Sequence, residues 1–152
     1  MIESIKHDEL IAAGNLIKEV FDEFILKDYS NDGIDYFYKR ISCQSIFDRI
    51  QAGNRIYVFK HDNNITGYIE ISGLNHIYLL FVKKEFQKQG IAAELIDSVI
   101  VYIKSKNPMV EDLTVNSTLN ALKFYEKLGF KKIADYQAKN GIVSFPMSLV
   151  IA

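Results

Sequence analysis

The sequence predicts an α/β (α+β) fold: a mixed, mostly antiparallel twisted sheet with one parallel βαβ crossover and flanking helices. Three observations predict it. Apolar residues recur at helical spacing before Gly53 and fall into short strand-like runs after it. A strand–helix–strand unit between His76 and Val115 demands a parallel, right-handed crossover. Near the end, Asn140-Gly141 separates two strand-like runs and marks a hairpin turn.

Each element follows from its residues. Leu10, Ala13, Ile17, Val20, Phe21 and Phe24 form a helical stripe, and Asp8 stands where an N-cap accepts a backbone N–H. Ser30 and Ser42 are candidate caps for two short helices. Phe37, Tyr38 and Ile41 lie on one face of the first, and Ile46, Phe47 and Ile50 on one face of the second. Gly53 suits the left-handed position after the second. Arg55–His61, Gly67–Ile71 and His76–Val82 are rich in β-branched and aromatic residues and bounded by Asn, Asp and Gly. Asp62-Asn63-Asn64 joins the first two as a hairpin. The third run is almost wholly apolar, as for a strand buried on both faces. A polar stretch, Lys83 to Gly90, leads into a helix with Ile91, Leu95, Ile96, Val99, Tyr102 and Ile103 inward, and Pro108 lies beyond its end. Leu113–Val115 is a short strand. A second helix runs from about Leu119 to Leu128, capped by Ser117 or Thr118 and stopped by Gly129. Two closing strands, Phe130–Gln137 and Ile142–Val150, complete the sheet.

Composition bounds the function. A chain of 152 residues is expected to form one domain over 1–152, with enough length to hold a core unaided. The formal net charge of −1 argues against a nucleic-acid partner. No apolar run reaches the ~20 residues of a membrane span, so no membrane partner is expected. The start, MIESIKHDEL, lacks the basic and apolar segments of a signal peptide. A lone Cys43 fits a reducing compartment, and the expected location is cytoplasmic. Charge is uneven: residues 1–76 hold 8 basic and 12 acidic side chains, residues 77–152 hold 10 and 7. Such a split is compatible with plain scattering of solvated charges, or with faces for an anion and a cation.

Gln87-Lys88-Gln89-Gly90-Ile91-Ala92 joins a buried strand to a helix start. Free N–H groups of a first turn, with the positive end of the helix dipole, make a natural pyrophosphate site. The spacing is neither that of a P-loop nor that of a dinucleotide fingerprint, and taken alone it also fits a plain strand-to-helix turn. The residues nevertheless resemble a family. Leu80-Phe81-Val82 followed by Gln87-x-x-Gly90-x-Ala92 is similar to the acyl-CoA motif Q/R-x-x-G-x-G/A of GCN5-related N-acetyltransferases (GNAT). The segment Asn120-Ala121-Leu122-Lys123-Phe124-Tyr125-Glu126-Lys127-Leu128-Gly129-Phe130 resembles that family's second signature, in the right order. The element order matches the family fold over essentially the whole chain.

The resemblance implies a set of roles. Phe81 and Val82 offer backbone groups to the pantetheine arm of acetyl-CoA, the cosubstrate. Backbone N–H groups of Lys88, Gln89, Gly90, Ile91 and Ala92 take the pyrophosphate, flanked by Gln87. Asn116 and Asn120 bind the amide-bearing arm. Tyr125, near the sulfur, is the general acid; by periodicity alone it is a core aromatic. An alkylammonium of pKa ~10.4 is neutral about once in ~2,500 molecules at pH 7, so a base or water chain must remove a proton. His76 is the first candidate and Glu70 the second, although a strand-end His is often only a solvated loop residue. In this family the early helices and their loop wall the acceptor site. Asp28, Tyr29, Asp32 and Tyr36, with Tyr78, are therefore candidates to receive a cationic amine, or else form a solvated loop over a core stripe.

His7 and His61 read as surface residues, Cys43 as a spectator thiol, and the three His give no metal site. The expected function is direct acetyl transfer from acetyl-CoA to a small-molecule or peptide primary amine. A non-catalytic acyl-CoA-binding sensor or interaction domain is the alternative. The chain is expected as a monomer, or as a homodimer through the edge of its final hairpin.

Overall fold

Leu10, Ala13, Leu16, Ile17, Val20 and Phe21 are the buried stripe of α1 (Leu10–Phe24) in the computed structural model, which describes residues 1–152. Asp8 does not cap this helix. Residues His7–Glu9 form a turn of 3-10 helix ahead of it, and Glu9 reaches back to accept the Lys6 N–H at 2.8 Å. Ser30 and Ser42 do cap α2 (Asn31–Arg40) and α3 (Cys43–Gln51), accepting from Gly33 and Ser45 at 3.1 and 3.2 Å. Gly53 follows α3 at φ 113°, where a Cβ would be strained.

The sheet has eight strands, in the order β1 (Ile2–Ser4), β2 (Arg55–His61), β3 (Asn64–Ser72), β4 (His76–Val82), β5 (Asp112–Ser117), β8 (Ile142–Val150), β6 (Lys131–Lys132). The remaining strand, β7 (Gln137–Lys139), pairs with the start of β8. The edge strand β1 is too short to show a period, and only its register with β2 reveals it. Asp62 and Asn63, both at positive φ, make the two-residue turn between β2 and β3. The closing strand expected over Phe130–Gln137 is broken into β6 and β7. Ile133 still donates to the Pro146 carbonyl, but Pro146 has no N–H to return, so the ladder stops there.

The crossover helix α4 (Ile91–Lys106) links β4 to β5, the only parallel pair. Their register covers just His76–Thr114 and Ile77–Val115. Directly after it β4 carries a bulge: Glu70 faces Leu79 and Ile71 faces Ile77, leaving Tyr78 as the extra residue. A bulge bends its strand and increases its twist. Beyond Ile77, β4 therefore splays from β5, and its edge from Tyr78 to Val82 has no strand partner. Tyr78, Leu79 and Leu80 are only half-buried, which corrects the expectation of a strand covered on both faces.

Strand alternation divides the core in two. Ile56, Val58, Tyr68 and Phe81 face α1, α2 and α3, whereas Ile69, Ile71, Ile77 and Val82 face α4. The second cluster also takes in Tyr125 on α5 (Leu122–Lys127), Phe130 and Met147. Thr118, not Ser117, caps the 3-10 turn that leads into α5. No helix is long and apolar enough to cross a membrane.

Candidate active site

The splay between β4 and β5 opens a cleft of about 720 Å³. Its floor is β4 from His76 to Val82. Its walls are α1 and α2 on one side, the end of β5 and α5 on the other, with the start of α4 at one end. The β7–β8 hairpin contributes Gln137, Lys139, Asn140, Ile142 and Ser144.

At the α4 end the local chain supplies unpaired donors. Lys88 and Gly90 both have positive φ, 62° and 86°, which turns the loop sharply into the helix. Gly90 is the N-cap and provides no side-chain acceptor; the first intrahelical bond runs from Glu94 N–H to the Gly90 carbonyl. The N–H groups of Ile91, Ala92 and Ala93 are thus left over, and all three residues line the cleft. Lys88 adds a cation there. The site fits an anionic ligand carrying a slender arm along the free edge of β4.

Other residues expected for the cofactor sit differently. Gln87 lines the cleft, but its side-chain amide donates to the Val82 carbonyl at 2.9 Å, bracing the loop against the strand end and occupying that carbonyl. Gln89 is exposed, lies outside the cleft and donates to the Glu85 carbonyl. Phe81, Val82, Asn116 and Asn120 all border the cavity.

Tyr125 borders the cavity at the far side of the splay, with only 5% of its surface exposed. Burial alone pushes its phenol well above the ordinary value, so it keeps its proton at neutral pH. His76 also borders the cavity. Its Nδ1 lies 2.7 Å from Thr114 Oγ1, and burial lowers its pKa, so the imidazole is neutral at pH 7. Neutral phenol and neutral imidazole are the forms an acid and a base need.

Glu70 is not available as a base. Its carboxylate is wholly buried away from the cleft and accepts four hydrogen bonds: Arg49 Nε at 2.6 Å, Arg49 Nη2 at 3.1 Å, Asn54 Nδ2 at 2.7 Å and Tyr68 Oη at 2.6 Å. The acidic acceptor wall is likewise corrected. Tyr29, Tyr36 and Tyr78 line the cleft, but Asp28 borders a smaller neighbouring pocket and Asp32 stands exposed in the first turn of α2. No Asp or Glu lines the cleft at all. Acidic side chains of the N-terminal half are engaged elsewhere, Asp22 with Lys18, Glu23 with Lys84 and Glu9 with Lys60.

The sequence reading missed Arg40 and Lys139, cations that line the cleft from α2 and the closing hairpin. Arg40 lies four residues after Tyr36 on one helix face, a spacing that pairs them; nothing local joins Lys139 to either.

A family model for the acetyltransferase (GNAT) domain matches residues 25–151. The chain belongs to the GNAT family. Solved GNAT structures superpose on nearly all of it. A GCN5-related N-acetyltransferase of Rhodopseudomonas palustris has a TM-score of 0.85 at 16% identity, covering 99% of this chain and 94% of that one. The PaiA N-acetyltransferase of Thermoplasma acidophilum, solved with coenzyme A, has a TM-score of 0.80 at 19% identity, covering 99% and 98%. The aminoglycoside 6'-N-acetyltransferase of Enterococcus faecium has a TM-score of 0.73 at 13% identity, covering 100% and 97%. At such identities the likeness is one of fold. No match is found among curated protein sequences. In this GNAT chain the motif Gln87-x-x-Gly90-x-Ala92 falls on the loop with the free donors, and Tyr125 on the opposite wall.

Proposed function

We propose that the protein is an N-acetyltransferase that moves the acetyl group of acetyl-CoA directly to a primary amine held in the cleft. The observation that carries this reading is the uncapped start of α4, whose first-turn donors open on the same cavity as Tyr125. Ile91, Ala92 and Ala93 N–H groups hold the pyrophosphate, with Lys88 beside them. The unpartnered edge of β4 receives the pantetheine arm as an added strand would be received. Asn116 and Asn120 flank the arm from the other wall.

Bound acetyl-CoA supplies an activated acyl carbon and a thiolate leaving group. His76 takes a proton from the arriving ammonium, which leaves a lone pair on nitrogen. A C–N bond forms as the C–S bond breaks. Tyr125 donates its hydroxyl proton toward the departing sulfur, and the second amine proton is lost to solvent as the amide forms. Oriented capture of both substrates supplies much of the rate, since a second-order encounter becomes a step within one complex.

Isothermal titration with acetyl-CoA, paired with thiol-release assays on a panel of amines, tests the reading. Binding together with turnover of at least one amine is expected. Binding without turnover of any amine favours a non-catalytic acyl-CoA sensor, and no binding ends both.

A further inference from the structure

Arg40 is a half-buried guanidinium in the wall of the cleft that enters no ion pair. Its Nε donates to Tyr78 Oη at 2.6 Å, and its carbon lies 5.4 Å from the Tyr78 ring centroid and 5.8 Å from that of Tyr36. Those contacts fix the plane of the group and leave the two terminal nitrogens without a protein acceptor. A neighbouring guanidinium, Arg49, is neutralised by Glu70, so the absence of a carboxylate at Arg40 is specific to the side chain facing the cavity.

Arg40 is poorly placed for the pyrophosphate. Its anchor Tyr78 stands four residues before Val82, roughly 13 Å along the strand from the end where the α4 donors lie. It stands only two residues from His76, at the end of β4 away from Val82. Arg40 and His76 line the same cleft, so one small ligand can meet both side chains. Together with a lining that contains no carboxylate, the geometry points to an acceptor that is a small amine bearing a carboxylate, of amino-acid type, held by Arg40 through paired N–H donors while its amine faces His76. Polycationic amines are disfavoured, because the lining presents Arg40 and Lys139 and no carboxylate to receive them. This inference rests on the N-acetyltransferase reading above and names its acceptor class.

Matched acceptors test it: free amino acids, their methyl esters and carboxamides, and spermidine and kanamycin as polycations, followed by thiol release from acetyl-CoA. At least one free acid should exceed its ester tenfold or more in kcat/KM. In Arg40→Gln that ratio should fall toward one through a higher KM for the acid, with Arg40→Lys between, and acetyl-CoA affinity by titration should stay within twofold. The comparison of acid with ester in the unaltered protein stands even if a variant fails to fold. Equal or better turnover of esters, preference for a polycation, or binding of acetyl-CoA with neither turnover nor binding of any carboxylate amine overturns the inference alone. Failure to bind acetyl-CoA overturns it together with the reading it rests on.

Discussion

Tyr125 and His76 owe their protonation states to the same cause, removal from water beside the splay. A free thiol titrates near ~8.5 and a phenol near ~10, so handing a proton from a buried tyrosine to a fully formed thiolate is uphill. In the proposed mechanism donation comes earlier, while charge is still building on sulfur. Tyr125→Phe keeps the ring in the core but removes that proton, so kcat should fall about 100-fold or more while acetyl-CoA affinity changes less than threefold. Single-turnover rates beside titration check this, and an unchanged rate rules the phenol out as acid. At His76 burial lowers the pKa below 6.5, so the acidic limb of kcat/KM should lie below that value and vanish in His76→Ala. The same shift bears on stability. Below about pH 6.5 the unfolded chain binds a proton that the folded one resists, so stability is lost as pH falls through that value. Denaturation midpoints across pH 5–8 should show a shallower acid slope in His76→Ala.

Among the elements, β3 and β4 show how one bulge sets both structure and site. The extra residue at Tyr78 bends β4 off β5, and the Glu70 side chain opposite it is tied to α3 by Arg49 and to the α3–β2 link by Asn54. This ion pair is nearly dry, with 10% and 0% of the two side chains exposed. Removing one member leaves a buried charge without its partner, a loss of about 3–5 kcal/mol. Glu70→Ala should therefore lower the thermal midpoint by about 10 °C, and a change under 2 °C would show that the network is not structural. Much of this layer was legible in the sequence, because caps such as Ser30 and Ser42 and turns such as Asp62-Asn63 act over a few residues. The donor loop at Gly90 was legible for the same reason. What was not legible came from distance. The three residues of β1 acquire a conformation only beside β2, Pro146 splits a strand that precedes it, and Glu70 is claimed by a helix 21 positions away at Arg49. Arg40 escaped notice because its meaning depends on which carboxylates are absent from a cavity built from five regions of the chain.

Across the molecule, two cores flank a sheet whose halves share only the two residue pairs of β4 and β5, and the cleft occupies the gap they leave. A second link joins the closing hairpin to the helical wall. Gly141, in the left-handed turn of the β7–β8 hairpin at φ 74°, meets the first turn of α2, where its carbonyl accepts the Ser30 N–H at 3.4 Å. A Cβ added to Gly33 would lie 2.5 Å from that carbonyl oxygen, so the backbones touch only because residue 33 has no side chain. Gly33→Ala should push the hairpin off α2, at a cost of about 1–3 kcal/mol as for other overpacked contacts. The donors at the start of α4 are set by the Lys88–Gly90 turn and not by the hairpin, so they should be left undisturbed. Acceptor KM should then rise several-fold while acetyl-CoA affinity holds within twofold, and hydrogen exchange should quicken over residues 137–144 but not over α4. If acetyl-CoA binding weakens as much as acceptor binding, the hairpin steadies the whole cleft. If exchange in the hairpin is unaltered, the contact at Gly33 is not what holds it. Only the expected split makes this contact an acceptor gate, formed by two glycine backbones whose sequence positions are 108 residues apart.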